Sequence, residues 1–323
     1  MQHADEWRPS ATLETLRQRA AILQQTRAFF AARHVLEVDT PLLSRFGVTD
    51  VHLTNLETKL SGDSRTWYLQ TSPEFAMKRL LAAGSGCIYQ LGKVFRNDEQ
   101  SRRHNPEFTM LEWYRVGFTM VDLIAEVSAY LQQMLDLTEV QSFTYAEAFQ
   151  VFLAVDIFAS NGFEQLQAQL LNRPEVADLA ARETDFTTLQ QLAMSVVIEP
   201  QLPTNTIVFI THFPLAQAAL AAPTSDDPAT AQRFEVFVNG MELANGYFEL
   251  TDAVEQTKRF QNDQKQREQN GLAVMEADPR LLTALESGLP SCAGVALGFD
   301  RLVMLATQKQ HIEEILPFAH DRA

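Results

Sequence analysis

Two β-forming runs separated by a long charged loop, residues 87–117, constrain this chain more than any other stretch. The first run, about 87–96, carries Cys87, Ile88, Tyr89, Leu91, Val94 and Phe95 and ends on Arg96. The second, about 107–117, alternates, with Phe108, Met110, Glu112 and Tyr114 on one face and Thr109, Leu111, Trp113 and Arg115 on the other. Between them Asn97, Asp98, Glu99, Arg102, Arg103, His104 and Asn105 are too charged to bury and too many for a tight turn. The pattern predicts an antiparallel pair. One face carries Arg96, Phe108, Glu112 and Tyr114, overhung by a loop bearing His104. A cation, a flat aromatic and a carboxylate on one face suit a nucleotide plus an amine; a solvated hairpin with surface ion pairs has the same charges.

A second β signal is Asn239-Gly240 between Phe234–Val238 and Met241–Ala244. Asn-Gly favours a two-residue type I′ turn, which sets Val238 opposite Met241, Phe237 opposite Glu242 and Glu235 opposite Ala244. Glu235 and Glu242 then share a face as diagonal neighbours, roughly 7–8 Å apart at the backbone. Like charges so placed repel, and a divalent cation between them removes the penalty; Mg²⁺ completed by phosphate oxygens and water suits two carboxylates. Asn245, Tyr247 and Glu249 point the other way by parity, and Gly246 is expected to form the bulge that swings them back.

Helices are expected at 12–34 under a Thr12 cap, at 74–84 after Thr71-Ser72-Pro73, at 120–135, at 144–153, 163–171 and 187–197, at 251–270 and near 278–287. Glu74 at a helix start is favoured by the dipole and needs no ligand to explain it. Arg301, in the first turn of a helix that follows the small-residue run Cys292–Gly298, is electrostatically misplaced. It calls for an anion, either a phosphate at that terminus or a side chain such as Asp300. Residues 221–231 read as a solvated turn rather than a lid.

Lys plus Arg total 26 against 41 Asp plus Glu, a net charge of −15. Such a chain repels nucleic acid unless it concentrates positive charge locally. Its two cysteines, Cys87 and Cys292, sit in apolar runs and suit a reducing compartment. The start has no signal-peptide core and no stretch approaches membrane-span length, so no membrane partner and a cytoplasmic location are expected.

Taken together, Phe95-Arg96-Asn97-Asp98, then His104-Asn105-Pro106-Glu107-Phe108 through Glu112-Trp113-Tyr114, resembles motif 2 of the class II aminoacyl-tRNA synthetases, in their lysyl branch. The helix and short strand ending at Pro41 resemble motif 1, and Gly298-Phe299-Asp300-Arg301 resembles motif 3. The Glu-Trp-Tyr-Arg run at 112–115 is similar to that of a short paralogous family that attaches lysine or β-lysine to elongation factor P. The resemblance implies an α+β fold, a mainly antiparallel sheet flanked by helices. It implies one catalytic domain over 1–323 with a helical insertion at about 118–205 and no N-terminal OB-fold. It also implies a homodimer built on motif 1.

Its implied chemistry is ATP-dependent adenylate formation with Mg²⁺. Arg96 and Arg301 are the catalytic cations. Arg96, Asp98, Glu99, His104, Asn105, Phe108 and Arg301 would hold ATP, with Glu235 and Glu242 on the metal. Ser72, Glu74, Glu112, Tyr114, Asn245, Glu249 and Ala296 would form the lysine pocket. Lysyl-tRNA synthetases have glycine where this chain has Ala296; the added methyl shifts fit between substrates by about 1–3 kcal/mol and favours β-lysine. Asp98 stands where the motif usually has glutamate, which alters the adenine contact. The implied acceptor is a lysine of elongation factor P rather than tRNA; a truncated lysyl-tRNA synthetase, an asparagine-forming amidation enzyme of the same fold, which Glu249 disfavours, and a non-catalytic regulatory paralogue are the alternatives.

Overall fold

The computed structural model describes residues 7–97 and 100–323. Asp98 and Glu99, expected at the nucleotide, lie outside the described residues. The chain forms two compact units, Met1–Glu126 with Glu249–Ala323, and Val127–Phe248.

The first unit is arranged around β5 (Ile88–Phe95) and β6 (Glu107–Val116), antiparallel from Ile88↔Tyr114 to Phe95↔Glu107. β1 (Leu36–Glu37) adds to β5 in parallel, and β11 (Cys292–Gly298) pairs antiparallel with β6. A small separate sheet joins β2 (Leu43–Ser44), β4 (Thr66–Leu69) and β3 (Glu57–Lys59). Helix α1 (Leu13–Ala31) starts at Thr12, whose hydroxyl accepts from Thr15 N–H at 3.1 Å. It lays Phe30 against Tyr89 (ring centroids 4.4 Å) and Trp113 (5.3 Å). One face of the β5–β6 pair is thereby filled by α1 and the other, with Phe108, Met110, Glu112 and Tyr114, is left for the site. Helix α2 (Glu74–Ala82) follows Pro73, with the Ser72 hydroxyl accepting from Glu74 N–H at 3.0 Å. Helices α8 (Ala253–Gln269) and α9 (Pro279–Gly288) are capped by Asp252 and Asp278, and α10 (Phe299–Ala306) follows β11 directly. The chain leaves this unit along α3 (Met120–Leu135).

The described residues of the loop between β5 and β6 are held by backbone hydrogen bonds, within the loop and to Thr54. Arg96 N–H donates to Pro106 O at 2.9 Å and Asn97 N–H to Thr54 O at 2.9 Å, while Ser101 and His104 form an isolated bridge.

In the second unit, β10 (Met241–Phe248) pairs antiparallel with β9 (Thr230–Val238), β9 with β8 (Ile207–Pro214), and β7 (Val140–Thr144) runs parallel to β8. Helices α4 (Tyr145–Leu153), α5 (Gly162–Leu171), α6 (Ala177–Ala180) and α7 (Phe186–Ala193) pack Phe149, Leu166, Leu170 and Leu189 onto Val208, Ile210 and Phe237 of the strands. The expected run of helices through 118–205 is interrupted by β7. Its outward-facing Val140, Gln141 and Ser142 give no apolar alternation, because an edge strand paired on one side buries little. No helix among the described residues is long and apolar enough to cross a membrane.

Candidate active site

β6 and β11 meet residue for residue, Tyr114 opposite Gly294, Glu112 opposite Ala296 and Met110 opposite Gly298. Opposed residues share a face, so small side chains on β11 form a floor beside the large polar ones of β6. A Cβ on Gly294 would overlap the Tyr114 ring and stand 2.7 Å from Glu249 Oε1, which is why glycine belongs there. Glu112, 2% exposed, accepts from the Tyr114 hydroxyl and the Ser72 hydroxyl, both at 2.7 Å. Burial, with the Glu74 carboxylate adding to it, pushes Glu112 up to about 8. Burial likewise pushes Glu249 up to about 7, against the pull of Lys78. Lys78 Nζ lies 2.7 Å from Glu74 Oε1 and 2.6 Å from Glu249 Oε2. Burial opposes its charge, but Glu249 and then Glu74 outweigh burial and hold the ammonium protonated well above the ordinary lysine range. Ser72, Glu74, Glu112, Tyr114, Glu249 and Ala296 are thus brought together, around a lysine that sequence reasoning missed. Its signal was available: Lys78 is one helical turn from Glu74, at i,i+4.

Towards the other end of the same β6 face, the Arg96 guanidinium stands 5.3 Å from the centre of the Phe108 ring. His104 Nε2 is 2.6 Å from Arg301 NH2, and its Nδ1 is 2.7 Å from Ser101 Oγ. Burial, followed by the charges of Arg301, Arg96 and Arg103, lowers His104 to about 4, so the imidazole is neutral at pH 7. Arginine can only donate, so Nε2 accepts and the remaining proton sits on Nδ1, directed at Ser101. Asp300 does not serve as the anion for its neighbour Arg301. Arg19 NH2 meets its Oδ1 at 2.7 Å and Thr109 N–H donates to Oδ2 at 2.8 Å. No local pattern announces Arg19, since helix α1 brings it in from far along the chain. Asn105 donates to Glu107 O at 2.7 Å and accepts from His320 N–H at 3.1 Å, fastening the loop to the C-terminal residues.

The second unit holds the other acids. Glu242 is opposite Phe237, as the Asn-Gly turn predicts, but the register then shifts between Glu242 and Ala244. Glu235 is therefore opposite Asn245, not Ala244, and the bulge falls at Leu243 rather than at Gly246, which pairs regularly with Phe234. The extra residue nearer the turn brings Asn245 to the face of Glu235 and Glu242. Glu235 is 2.5 Å from Arg233 NH2; burial pushes it up to about 7, with Arg233 opposing and Glu242 adding to the rise. The buried Asn245 Oδ1 has no hydrogen-bond partner among the described residues, an acceptor awaiting a donor. No group of three or more metal-ligating side chains occurs among the described residues. Two acids on one face of the β9–β10 pair, one of them raised by burial and further by the charge of the other, still fit a divalent cation that takes its other ligands from phosphate and water. Arg233, two residues before Glu235 on one strand face, is the feature the sequence offered and the reading passed over.

The family described as tRNA synthetases class II (D, K and N) matches residues 2–322. The chain belongs to that family. It is 51% identical over 321 residues to the elongation factor P–(R)-β-lysine ligase of Pseudoalteromonas translucida, covering 98% of each chain. Similarity to the proteins of the same name from Vibrio cholerae, 48% over 98% of this chain and 99% of the relative, and from Photorhabdus laumondii, 46% over the whole of both, is as extensive. By family and relatives the chain is an enzyme, a ligase.

Proposed function

We propose that the chain activates (R)-β-lysine, or lysine, with ATP and transfers the acyl group to a lysine ε-amine of elongation factor P. The observation that carries this is the order of groups along one face of β6. Arg96 beside Phe108 lies at one end, and Glu112 with Tyr114, Ser72, Glu74 and Glu249 lies at the other. An amino acid with a second, distal ammonium is the substrate those ends suit. The names of the relatives supply the acceptor and favour β-lysine.

In the first step the substrate carboxylate, ionised at neutral pH, attacks the α-phosphorus of ATP and diphosphate leaves; no base is required. Catalysis is positioning and charge neutralisation. Arg96 holds the substrate carboxylate and α-phosphate, Phe108 stacks on adenine, and Arg301 with neutral His104 receives the γ-phosphate. Glu74 and Glu112 take the amino group nearer the carboxylate, while Glu249 takes the distal one. Mg²⁺, held by Glu235 and Glu242, would supply charge neutralisation on the phosphates. In the second step the neutral acceptor amine attacks the acyl carbon, the acyl C–O bond breaks with its electrons leaving on AMP, and the amine's surplus proton passes to solvent. Exposed apolar residues of α1 and β1 would be covered in a homodimer.

The test is ATP–diphosphate exchange with each amino acid, followed by intact mass of elongation factor P. Exchange stimulated by β-lysine more than by lysine, with one acyl group gained by elongation factor P, is expected. Charging of tRNA instead would identify a lysyl-tRNA ligase, and no exchange with either amino acid would leave a regulatory protein.

A further inference from the structure

The amine end contains a cation for which the proposed reaction has no use. Lys78 is 2% exposed, carried by α2 one turn after Glu74, and it bridges Glu74 Oε1 and Glu249 Oε2. Two of the three acids meant for the substrate are already touched by an ammonium of the protein's own. The bridge is selective about oxygens. The ammonium hydrogen-bonds Glu74 Oε1 and pairs by charge with Glu249 Oε2, which has no hydrogen-bond partner among the described residues, while Glu249 Oε1 faces the space that a side chain at Gly294 would fill. Glu112 is held differently, by the hydroxyls of Tyr114 and Ser72.

Charge is the second observation. Glu74, Glu112 and Glu249 against Lys78 leave an excess of two negative charges when all are ionised. That excess matches the two ammonium groups of lysine or β-lysine, whose own carboxylate belongs with Arg96. Without Lys78 the cluster would carry one negative charge more than a diamine can neutralise. We infer that Lys78 is a specificity-determining residue. It turns one oxygen of Glu74 and one of Glu249 towards the substrate, and it fixes at two the number of ammonium groups the pocket accepts. The inference rests on the lysine-activating reading above.

The empty pocket would still hold two unmatched charges, and the raised positions of Glu112 and Glu249 are how it responds: protons stand in for the missing ammoniums. Among the described residues the titratable groups facing Glu112 and Glu249 are Glu74, Lys78, Tyr114 and Cys292, of which Lys78 is the cationic one. Substrate entry should therefore release protons.

The experiment uses the full chain, first establishing that wild type exchanges diphosphate with lysine or β-lysine; failure there sinks the lysine reading and not the role of Lys78. With exchange in hand, Lys78→Met and Lys78→Ala are compared by KM for the amino acid and for ATP. Expected is an amino-acid KM raised at least about 30-fold with the ATP KM within about threefold, as for truncating one partner of a buried charge pair. Added propylammonium should recover part of the loss in Lys78→Ala. An amino-acid KM left near wild type, or equal rises for both substrates without rescue, would make Lys78 a structural ion pair only. Should neither variant fold, calorimetry of wild type in two buffers of different ionisation enthalpy decides. About one proton released per lysine bound at pH 7 is expected from the linkage, and fewer for a monoammonium analogue lacking the ε-amine. No release would overturn the charge count.

Discussion

Asp300 and Arg301 are sequence neighbours given to opposite tasks. Asp300 is fixed by Arg19 and by Thr109 N–H, at 1% exposure, and so anchors the first turn of α10. Arg301 projects to His104, whose neutrality follows first from its burial and then from the three arginines around it. Glu112 is the corresponding case among the acids, buried with two hydroxyls as its hydrogen-bond partners. Folding raises it from 4.5 to about 8, so over that interval the folded chain keeps a proton that the unfolded chain has lost. Stability must then fall as pH rises from about 4.5 to 8 and level off above. Glu112→Gln removes this contribution while retaining an acceptor for Tyr114. Thermal unfolding of the variant should lose less midpoint temperature between pH 5 and pH 8 than wild type, and lysine-dependent exchange should fall at least about 100-fold, the scale of an unpaired buried ammonium. Identical pH slopes for the two proteins would show that Glu112 ionises freely.

At the scale of elements, β11 is shaped by what it must stay clear of. Gly294, Ala296 and Gly298 face the same way as Tyr114, Glu112 and Met110, and their smallness keeps the floor open. Gly294→Ala forces a methyl against the Tyr114 ring and Glu249 Oε1. Both belong to the proposed amine end, so the amino-acid KM should rise about tenfold or more while the ATP KM hardly moves, for an overpacking strain of about 1–3 kcal/mol. Equal effects on both would mean that the strain spreads along β6. The alternation of β6 was plain from residues 107–117, because a strand with α1 packed on one side and polar groups gathered on the other writes its two faces into every second residue. The Asn-Gly turn was equally plain. The bulge at Leu243 was not, since Gly246 is the more obvious break and nothing local sets where an extra residue is absorbed. Lys78 and Arg233 were overlooked for a different reason. Each reads as one more surface cation until the acid beside it is known to be buried.

For the molecule as a whole, charge and exposed apolar surface pull association in opposite directions. Each chain carries −15, so two copies repel at long range. Yet α1 and β1 leave Leu13 63% and Leu36 55% exposed, and among the described residues β1 pairs on one side, with β5. A short, half-paired apolar edge next to a helix that exposes leucine is the surface a second copy would cover in the proposed homodimer. The two forces predict the response to salt. Raising ionic strength screens the repulsion and leaves apolar burial intact, so the dimer should tighten as salt is added, the reverse of a salt-bridged interface. Sedimentation should give twice the 36.4 kDa chain mass at moderate salt. Leu36→Asp adds a charge at the interface without touching Glu112, Lys78 or Arg301, and should yield monomers whose amino-acid binding can be measured separately. Wild type sedimenting as a 36.4 kDa particle across the salt range would remove the dimer, and a Leu36→Asp protein that still dimerises would move the interface away from β1.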